Sequence, residues 1–320
     1  MTIYIMRRLL ISIPVLLGIT LIVFTMQELM PGDYIDSLIK PEERHLWTEA
    51  DKARLRQIYG IDQPAPVRYL RWLRNVAFYG DLGTSFYTGE PVLEEMRQRL
   101  PATLKLTLVS MLFGLVVGTL LGVLAAVKQY SSLDSLLTLI AFFWISTPGF
   151  VFALMALYLF SLKLPLFPTG GMGPIGEPAG PLTQLYYMAL PVAVLSLGDV
   201  AGLMRYARSS LLEEIRKDYV TVARAKGISE RLIYLRHALR NALLPLITIT
   251  ALGFPGLLGG AVLIETIFVW QGMGLYAFSA VLAGNYPVIM ATNLISAALV
   301  LFSNLLADIA YAWADPRIRY

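Results

Sequence analysis

The fold class follows from residues 102–127, which read ATLKLTLVSMLFGLVVGTLLGVLAAV. Lys105 is the only charged side chain in this stretch, and it stands near the start. A helix of about 20 apolar residues crosses the hydrocarbon core of a bilayer. Residues 102–127 are therefore predicted to form a transmembrane helix, with Lys105 reaching outward to the membrane surface.

Five further apolar runs raise the prediction to six transmembrane helices in an all-α membrane protein. The runs are Leu9–Met30, Leu136–Leu162, Leu185–Met204, Ala242–Trp270 and Val288–Tyr311. The composition agrees, because 57% of the residues are hydrophobic and 15% are charged, whereas soluble domains carry roughly 25% charged residues. The first run exceeds the apolar part of a signal peptide and no A-x-A site follows it, which predicts an uncleaved anchor.

The distribution of basic residues predicts that both termini are cytoplasmic. The segment 205–241 is rich in Lys and Arg, whereas the short loops 163–184 and 271–287 contain a single basic residue, Lys163. The long segment 31–100 is also basic, but long segments are translocated largely regardless of charge. The predicted organisation is an anchor helix at 1–30, an extracytoplasmic segment at 31–100, a five-helix core at 101–312 that includes the cytoplasmic loop 209–241, and a cytoplasmic tail at 313–320.

The outer segment is predicted to contain two helices. Thr48 is suited to cap a helix over Glu49–Tyr59, and Gly60 would end it. A second helix is expected over Pro66–Tyr79, with arginine at 68, 71 and 74 beside apolar residues. This helix would rest on the outer leaflet or on a docking partner, or would present a solvated basic face. Residues 91–100 are expected to form a short amphipathic lead into the second span.

Three glycines mark one face of the second span. Gly114, Gly118 and Gly122 recur every four residues. A stripe of small residues allows two membrane helices to approach closely, which predicts a packing contact. The alternative is that glycine is simply common in membrane helices.

The cytoplasmic segment Asp218–Leu239 is charged and favours helix, but Gly227 splits it. Ser229 is suited to cap the second helix, so a helix–glycine–helix element is expected. Such a hairpin between two spans can receive a push from a soluble partner. Equally, it can be an ordinary basic loop that holds anionic lipid.

The same segment carries a sequence resemblance. Residues 219–227 (YVTVARAKG) and 236–242 (RHALRNA) resemble the cytoplasmic "EAA" loop of ABC importer permeases, in the form found in the dipeptide/oligopeptide permease family. Pieces similar to that family recur in order along nearly the whole chain: 31–33 (PGD), 60–64 (GIDQP), 80–85 (GDLGTS), 101–104 (PATL), 167–171 (FPTGG), 265–268 (ETIF), 272–274 (GMG) and 315–319 (DPRIR).

The loop departs from the general pattern at both ends. That pattern begins Glu-Ala-Ala and ends Ile-x-Leu-Pro, whereas this chain has TVA at 221–223 and HALR at 237–240. The peptide-type subfamily often departs in the same places. Only a role that rests on the missing glutamate is put in doubt.

The resemblance implies a type I ABC importer permease fold in a bacterial or archaeal plasma membrane, with this chain as the first permease of a pair. A second permease would complete the channel, two ATP-binding subunits would bind beneath it, and an extracytoplasmic binding protein would deliver substrate. Di- or oligopeptides are the expected substrates; a nickel complex, glutathione or an oligosaccharide are alternatives. The chain would not be an enzyme and would bind no cofactor, because ATP and Mg²⁺ would be held by the partner subunits.

The resemblance also implies site residues in the loop. A short coupling helix would enter a groove of the ATP-binding subunit, and Gly227 would allow the bend that aims it. Arg224 and Lys226 would pair there with acidic groups. The residues assigned to this coupling role are Ala223, Arg224, Ala225, Lys226, Gly227 and Glu230.

The sequence offers few candidates for an ATP-binding or metal-binding site. No G-x-x-x-x-G-K-[ST] motif for binding ATP is present. The chain has two histidines, His45 and His237, and no cysteine, so no metal site is predicted. Membrane lipid is an expected partner, and nucleic acid is not. Carboxylates within spans are functional candidates. Asp199 and Glu265 are possible residues of a translocation path, and Asp308 also qualifies by position.

A transporter of another class is the remaining alternative. An ATP-independent secondary transporter would need internal repeats with breaks at matching positions and a paired charge system inside the membrane. The sequence contains no recognisable repeat of this kind.

Overall fold

The computed structural model describes residues 2–29, 35, 47–174, 176 and 179–314. Predictions for the PGD motif at 31–33, for His45 and for the tail at 315–320 lie outside these residues. The helices in chain order are α1 Thr2–Leu29, α2 Glu49–Tyr59, α3 Ala65–Arg74, α4 Val92–Val127, α5 Ser132–Ser146, α6 Gly149–Ala156, α7 Pro181–Ile215, α8 Asp218–Ala225, α9 Glu230–Leu232, α10 Leu239–Ile267, α11 Met273–Ala283 and α12 Tyr286–Ala314. Turns of π-helix, Asn75–Tyr79, Leu157–Lys163 and Ile233–Ala238, continue α3, α6 and α9.

The helices account for the predicted spans. Within the described residues, α1, α4, α7 and α12 are each long and apolar enough to cross a membrane alone. The pair α5 and α6, and the two halves of α10, each make one further span if a bent pair counts as one. The predicted number of six is reached in this way. The predicted lead at 91–100 is continuous with the second span, since α4 runs from Val92 to Val127.

The third predicted span, Leu136–Leu162, is a broken helix pair rather than one rod. The chain bends by 105° between Ser132–Ser146 and Gly149–Lys163. Pro148 has no amide to donate, and Thr147 before it is extended, with φ −100° and ψ 131°. The Thr147 hydroxyl donates to the carbonyl of Phe143 at 2.9 Å. A cavity of about 560 Å³ lies beside the break, lined in part by Pro148, Leu195 and Gly260.

One compact unit comprises Met1–Pro101 and Gly272–Leu301. The predicted outer helices are confirmed in it. Thr48 and Asp51 form a capping box at the start of α2, and Gly60 ends the helix in the left-handed conformation with φ 66°. On α3, Arg68 pairs with Glu28 and Arg71 donates to Gln63, so these two arginines are bonded within the unit.

The core of this unit lies between the start of α4 and the start of α12. Val92 and Val288 are fully buried there, together with Met96. Asn285 precedes α12 and donates from Nδ2 to the Ser85 hydroxyl at 3.0 Å, while its Oδ1 accepts from the Phe86 amide at 3.3 Å. These bonds fix the loop before α4 to the turn before α12.

The other compact unit comprises Ala102–Gln271 and Phe302–Tyr320. Leu106, Met188, Phe268 and Trp270 form the centre of its largest apolar cluster. The Trp270 indole donates to the carbonyl of Ala102 at 3.0 Å, which satisfies its one polar atom in the core.

The glycine stripe of α4 packs directly against α7, which confirms the close-contact interpretation. A Cβ added at Gly118 would lie 2.8 Å from the Cβ of Leu203. A Cβ added at Gly122 would lie 2.5 Å from both the Met204 carbonyl oxygen and the Cβ of Ala207. Only glycine lets the two backbones come this near.

Candidate coupling segment and interior carboxylates

Helix α8 ends in a bend that depends on Gly227. Gly227 has φ 77°, a left-handed conformation that costs an L-residue energy. Its amide donates to the Arg224 carbonyl at 2.9 Å, and the Ile228 amide donates to the Ala223 carbonyl at 3.3 Å. These two bonds form a Schellman motif, which closes the helix and reverses the chain. The predicted helix–glycine–helix element is therefore confirmed as a backbone geometry.

Ser229 occupies the N-cap position of α9, but it does not act as predicted. Its backbone is suited to the cap, with φ −61° and ψ 141°, yet its side chain makes no capping hydrogen bond in the described part of the chain. Helix α9 covers only Glu230–Leu232 before the chain continues as π-helix. Another contact links the segment after the bend to α8.

That contact is an ion pair across the bend. The Arg224 guanidinium donates to both oxygens of Glu230, from Nε at 2.7 Å and from Nη2 at 3.2 Å. Hydrogen bonds from Arg224 and from Tyr234 hold the pKa of Glu230 below its ordinary value. Arg224 is thus already paired within the chain, so an acidic partner would have to share or replace Glu230.

The first turn of α8 and the start of α10 are both fixed to Glu214, near the end of α7. The Tyr219 hydroxyl donates to Glu214 Oε2 at 2.7 Å, and the Asn241 amide donates to the same oxygen at 3.4 Å. Lys217 pairs with the other carboxylate oxygen. The carboxylate of Glu214 therefore joins three elements. The sequence analysis missed it, since two adjacent glutamates at a helix end carry no distinctive signal.

One face of α8 is buried and the other is free for contact. Val220 is fully buried and anchors the helix. Val222 is 53% exposed, and Ala225 and Lys226 are also exposed, whereas Ala223 is half-buried. The exposed face is small, partly apolar and basic.

A second charged link lies between α5 and α7. Arg208 donates to both oxygens of Asp134, at 2.7 and 2.8 Å, and only 4% of Asp134 is exposed. The Tyr130 amide donates to the same carboxylate at 3.0 Å. A planar guanidinium matched to both carboxylate oxygens fixes distance and orientation together, so the start of α5 is held to α7.

Asp199 lines a small cavity of about 120 Å³ between α4, α7 and α10. Met111, Tyr206 and Thr250 contribute to its walls. The Oδ2 atom of Asp199 is buried and has no hydrogen-bond partner among the described residues. Its Cβ packs 3.0 Å from the position of a Cβ on Gly114. Asp199, one of the predicted path residues, therefore borders a cavity.

Glu265 has a different environment. It is fully buried near the end of α10 and accepts a hydrogen bond from the Thr103 hydroxyl at 2.6 Å. Asp308 is half-buried on α12. Lys105 donates to the Gln184 side chain at 2.5 Å. In the described part of the chain, no group of three or more His, Cys, Asp or Glu side chains is arranged to hold a metal ion.

Comparisons with known proteins extend these observations. Residues 118–320 match the family described as binding-protein-dependent transport system inner membrane component, and residues 1–107 match its N-terminal counterpart. The chain is 42% identical to the oligopeptide transport system permease protein AppB of Bacillus subtilis, over 100% of both chains. It is 36% identical to the dipeptide transport system permease protein DppB of Alkalihalophilus pseudofirmus, over 99% of both.

A solved structure supports the fold. The inward-facing MetNI methionine ABC transporter contains a chain that superposes with a TM-score of 0.56 and 20% identity, covering 69% of this chain and 96% of that one. The resemblance seen in the sequence and the helical architecture thus agree with a full-length family match. The chain belongs to the family of binding-protein-dependent transport system inner membrane components, and it is a multi-pass inner-membrane protein.

Proposed function

We propose that this chain is a channel subunit of an ATP-driven importer of di- or oligopeptides, coupled to its energy source through residues 218–241. Two relatives that match its full length are named as an oligopeptide and a dipeptide permease. The observation that carries the coupling assignment is α8. This short helix is closed by Gly227 and tied to α7 and α10 through Glu214.

The coupling role follows from how α8 is mounted. A helix that is fixed at its base and exposed at its tip moves as a unit when a partner displaces the tip. Val222, Ala225 and Lys226 supply the exposed contact surface. Glu214 lies on the spanning helix α7, and its carboxylate bonds Tyr219 of α8 and Asn241 of the spanning helix α10. It therefore passes a displacement of α8 to both spanning helices.

The energy source lies outside this chain. A second permease, two ATP-binding subunits and an extracytoplasmic binding protein complete the proposed transporter. ATP and Mg²⁺ belong to the ATP-binding subunits, which is consistent with the lack of a P-loop motif in this sequence. Hydrolysis in those subunits alternates the channel between inward-facing and outward-facing states.

Asp199 is the proposed path residue of this chain. A carboxylate oxygen with no partner among the described residues, at the edge of a cavity, can pair transiently with the cationic amino terminus of a peptide. Glu265 is less suited to that role because it is fully buried and bonded to Thr103. We assign Glu265 to holding the end of α10 against the start of the second span.

Two measurements test the proposal. Gentle purification of the tagged chain from native membranes should recover a second six-span chain and a P-loop ATPase. Charge reversal at Arg224 or Lys226 should abolish peptide uptake while ATP hydrolysis persists. Lys128→Glu is the matched control, because Lys128 is also exposed and basic but lies outside the coupling segment.

The alternative outcome is equally concrete. Recovery of the chain alone, active in liposomes without ATP, would refute the importer assignment and favour a secondary transporter. Uptake that is blocked by nickel complexes or oligosaccharides, and not by peptides, would retain the transporter class and overturn the substrate.

A further inference from the structure

The unit that comprises residues 1–101 and 272–301 contains a cavity that the proposed transport cycle does not use. Its volume is about 210 Å³. The end of α1, helix α3, the turn after α2 and the start of α12 form its walls. Aromatic rings of Phe24, Tyr59, Phe86 and Tyr286 line much of it.

Three N–H groups on these walls have no acceptor in the described part of the chain. They are Gln27 Nε2, Arg68 Nε and Trp72 Nε1, and all three are buried. Gln27 is only 7% exposed, so bulk solvent does not satisfy it. Buried donors are almost always paired in folded proteins, and leaving one unpaired is costly. Three such donors around one cavity indicate a missing acceptor.

The charges on the walls give the sign of that acceptor. Among the described residues, the charged side chains that line the cavity are Arg68, Arg71 and Glu28. Glu28 is engaged by Arg68 and Gln63 by Arg71, and the three charges leave one net positive charge. A ligand with several acceptor oxygens and one negative charge would satisfy both the orphaned donors and this excess charge.

We propose that the cavity binds a phosphate group of about one negative charge. Four tetrahedral oxygens can accept from donors on α1 and α3 at once, and guanidinium groups favour phosphate. A phospholipid headgroup and free phosphate share this chemistry. Met26 and Leu29 of α1 are 65% and 78% exposed, as side chains that face acyl chains would be, so a headgroup is within reach.

Two substitutions remove the site with little change in volume. Gln27→Glu replaces an orphaned donor by a negative acceptor, and Trp72→Phe removes the N–H while keeping an aromatic ring. Gln57→Glu is the matched control, because Gln57 is exposed on α2 and does not line the cavity. Size-exclusion chromatography of the assembled transporter identifies any variant that fails to fold.

Native mass spectrometry of the detergent-extracted transporter measures bound phospholipid. Wild type and Gln57→Glu should retain it, while occupancy in Gln27→Glu should fall at least tenfold, or about 1.4 kcal/mol. Phospholipid occupancy in Trp72→Phe should fall severalfold. If no lipid is retained but millimolar inorganic phosphate raises the melting temperature of wild type and not of Gln27→Glu, the same site takes soluble phosphate.

Two results would overturn the proposal. The first is equal lipid retention and equal response to phosphate in wild type and both cavity variants, which would mean that lipid binds elsewhere. The second is a wild-type transporter with neither bound phospholipid nor a phosphate response, which would mean that the cavity holds water alone.

Discussion

Replacing Gly122 by alanine tests the contact between α4 and α7 directly. The new Cβ would lie 2.5 Å from the Met204 carbonyl oxygen and from the Cβ of Ala207, where ordinary contact begins at 3.4 Å. The shortfall is about 1 Å, and both obstacles belong to helix backbone or stand next to it. No rotamer change can relieve the clash, so the two helices have to separate locally.

The expected cost follows from a matched control. Overpacking of a well-packed interior costs roughly 1–3 kcal/mol. Alanine also gains helix propensity over glycine, by up to about 1 kcal/mol in water. Gly198→Ala on α7 isolates that gain, because a Cβ there meets nothing within 4 Å. Subtracting one variant from the other cancels propensity and leaves a predicted difference of roughly 1–3 kcal/mol.

The assay is reversible unfolding of the purified chain in mixed micelles, with SDS as denaturant and helix content as the signal. Gly118→Ala should lie between the two variants, since its Cβ would approach Leu203 to 2.8 Å. If Gly122→Ala unfolds at the same SDS fraction as Gly198→Ala, or at a higher one, the two helices are not in the close contact described and the steric origin of the cost is refuted.

Three further predictions concern the loop and the path. Gly227→Ala should increase the ATP consumed per peptide imported, because a left-handed alanine costs about 1–2 kcal/mol and misdirects α8; an unchanged ratio would remove the bend from the mechanism. The pKa of Glu230 is lowered by Arg224 in the folded chain. The stability that the Arg224–Glu230 pair adds to the loop is therefore fully present above the ordinary carboxyl pKa, and it is lost as the pH falls through the lowered pKa of Glu230. Hydrogen exchange of the loop, corrected for intrinsic rate, should be constant from neutral pH to mildly acidic pH and rise only below that range; a rise near neutrality would contradict the assignment. Asp199→Asn should preserve assembly and lower uptake of peptides with a free amino terminus more than of N-acetylated ones, and equal losses would exclude a charge-pairing role.

The sequence was sufficient for features that depend on local chemistry. Long apolar runs predicted where the spans lie, because the bilayer demands that length of any helix. Thr48 and Gly60 predicted both ends of α2, because caps act within a few residues. The left-handed bend at Gly227 was predictable for the same reason.

Features that depend on distant residues were not predictable. Proline stands within α4 at Pro101 and at the junction of α5 and α6 at Pro148, yet the helix continues at the first and breaks at the second. Hydropathy indicates how long an apolar segment is, but it does not indicate whether the helix in that segment is straight or bent. The link from Glu214 to Asn241 spans 27 positions, and no periodicity connects two residues so far apart. The partners proposed for Asp199 and Lys226 lie on other molecules, so this chain does not encode them.

The break at Thr147–Pro148 also has a mechanical consequence. A continuous transmembrane helix resists bending because each backbone group it exposes to hydrocarbon is expensive to leave unbonded. At this junction the amide is already missing, and the Thr147 hydroxyl already serves one of the freed carbonyls. The angle between the two arms can therefore change without loss of further backbone bonds. We therefore expect this junction to bend more easily than a continuous helix, and a larger residue at Gly260, which lines the adjacent cavity, to stiffen it.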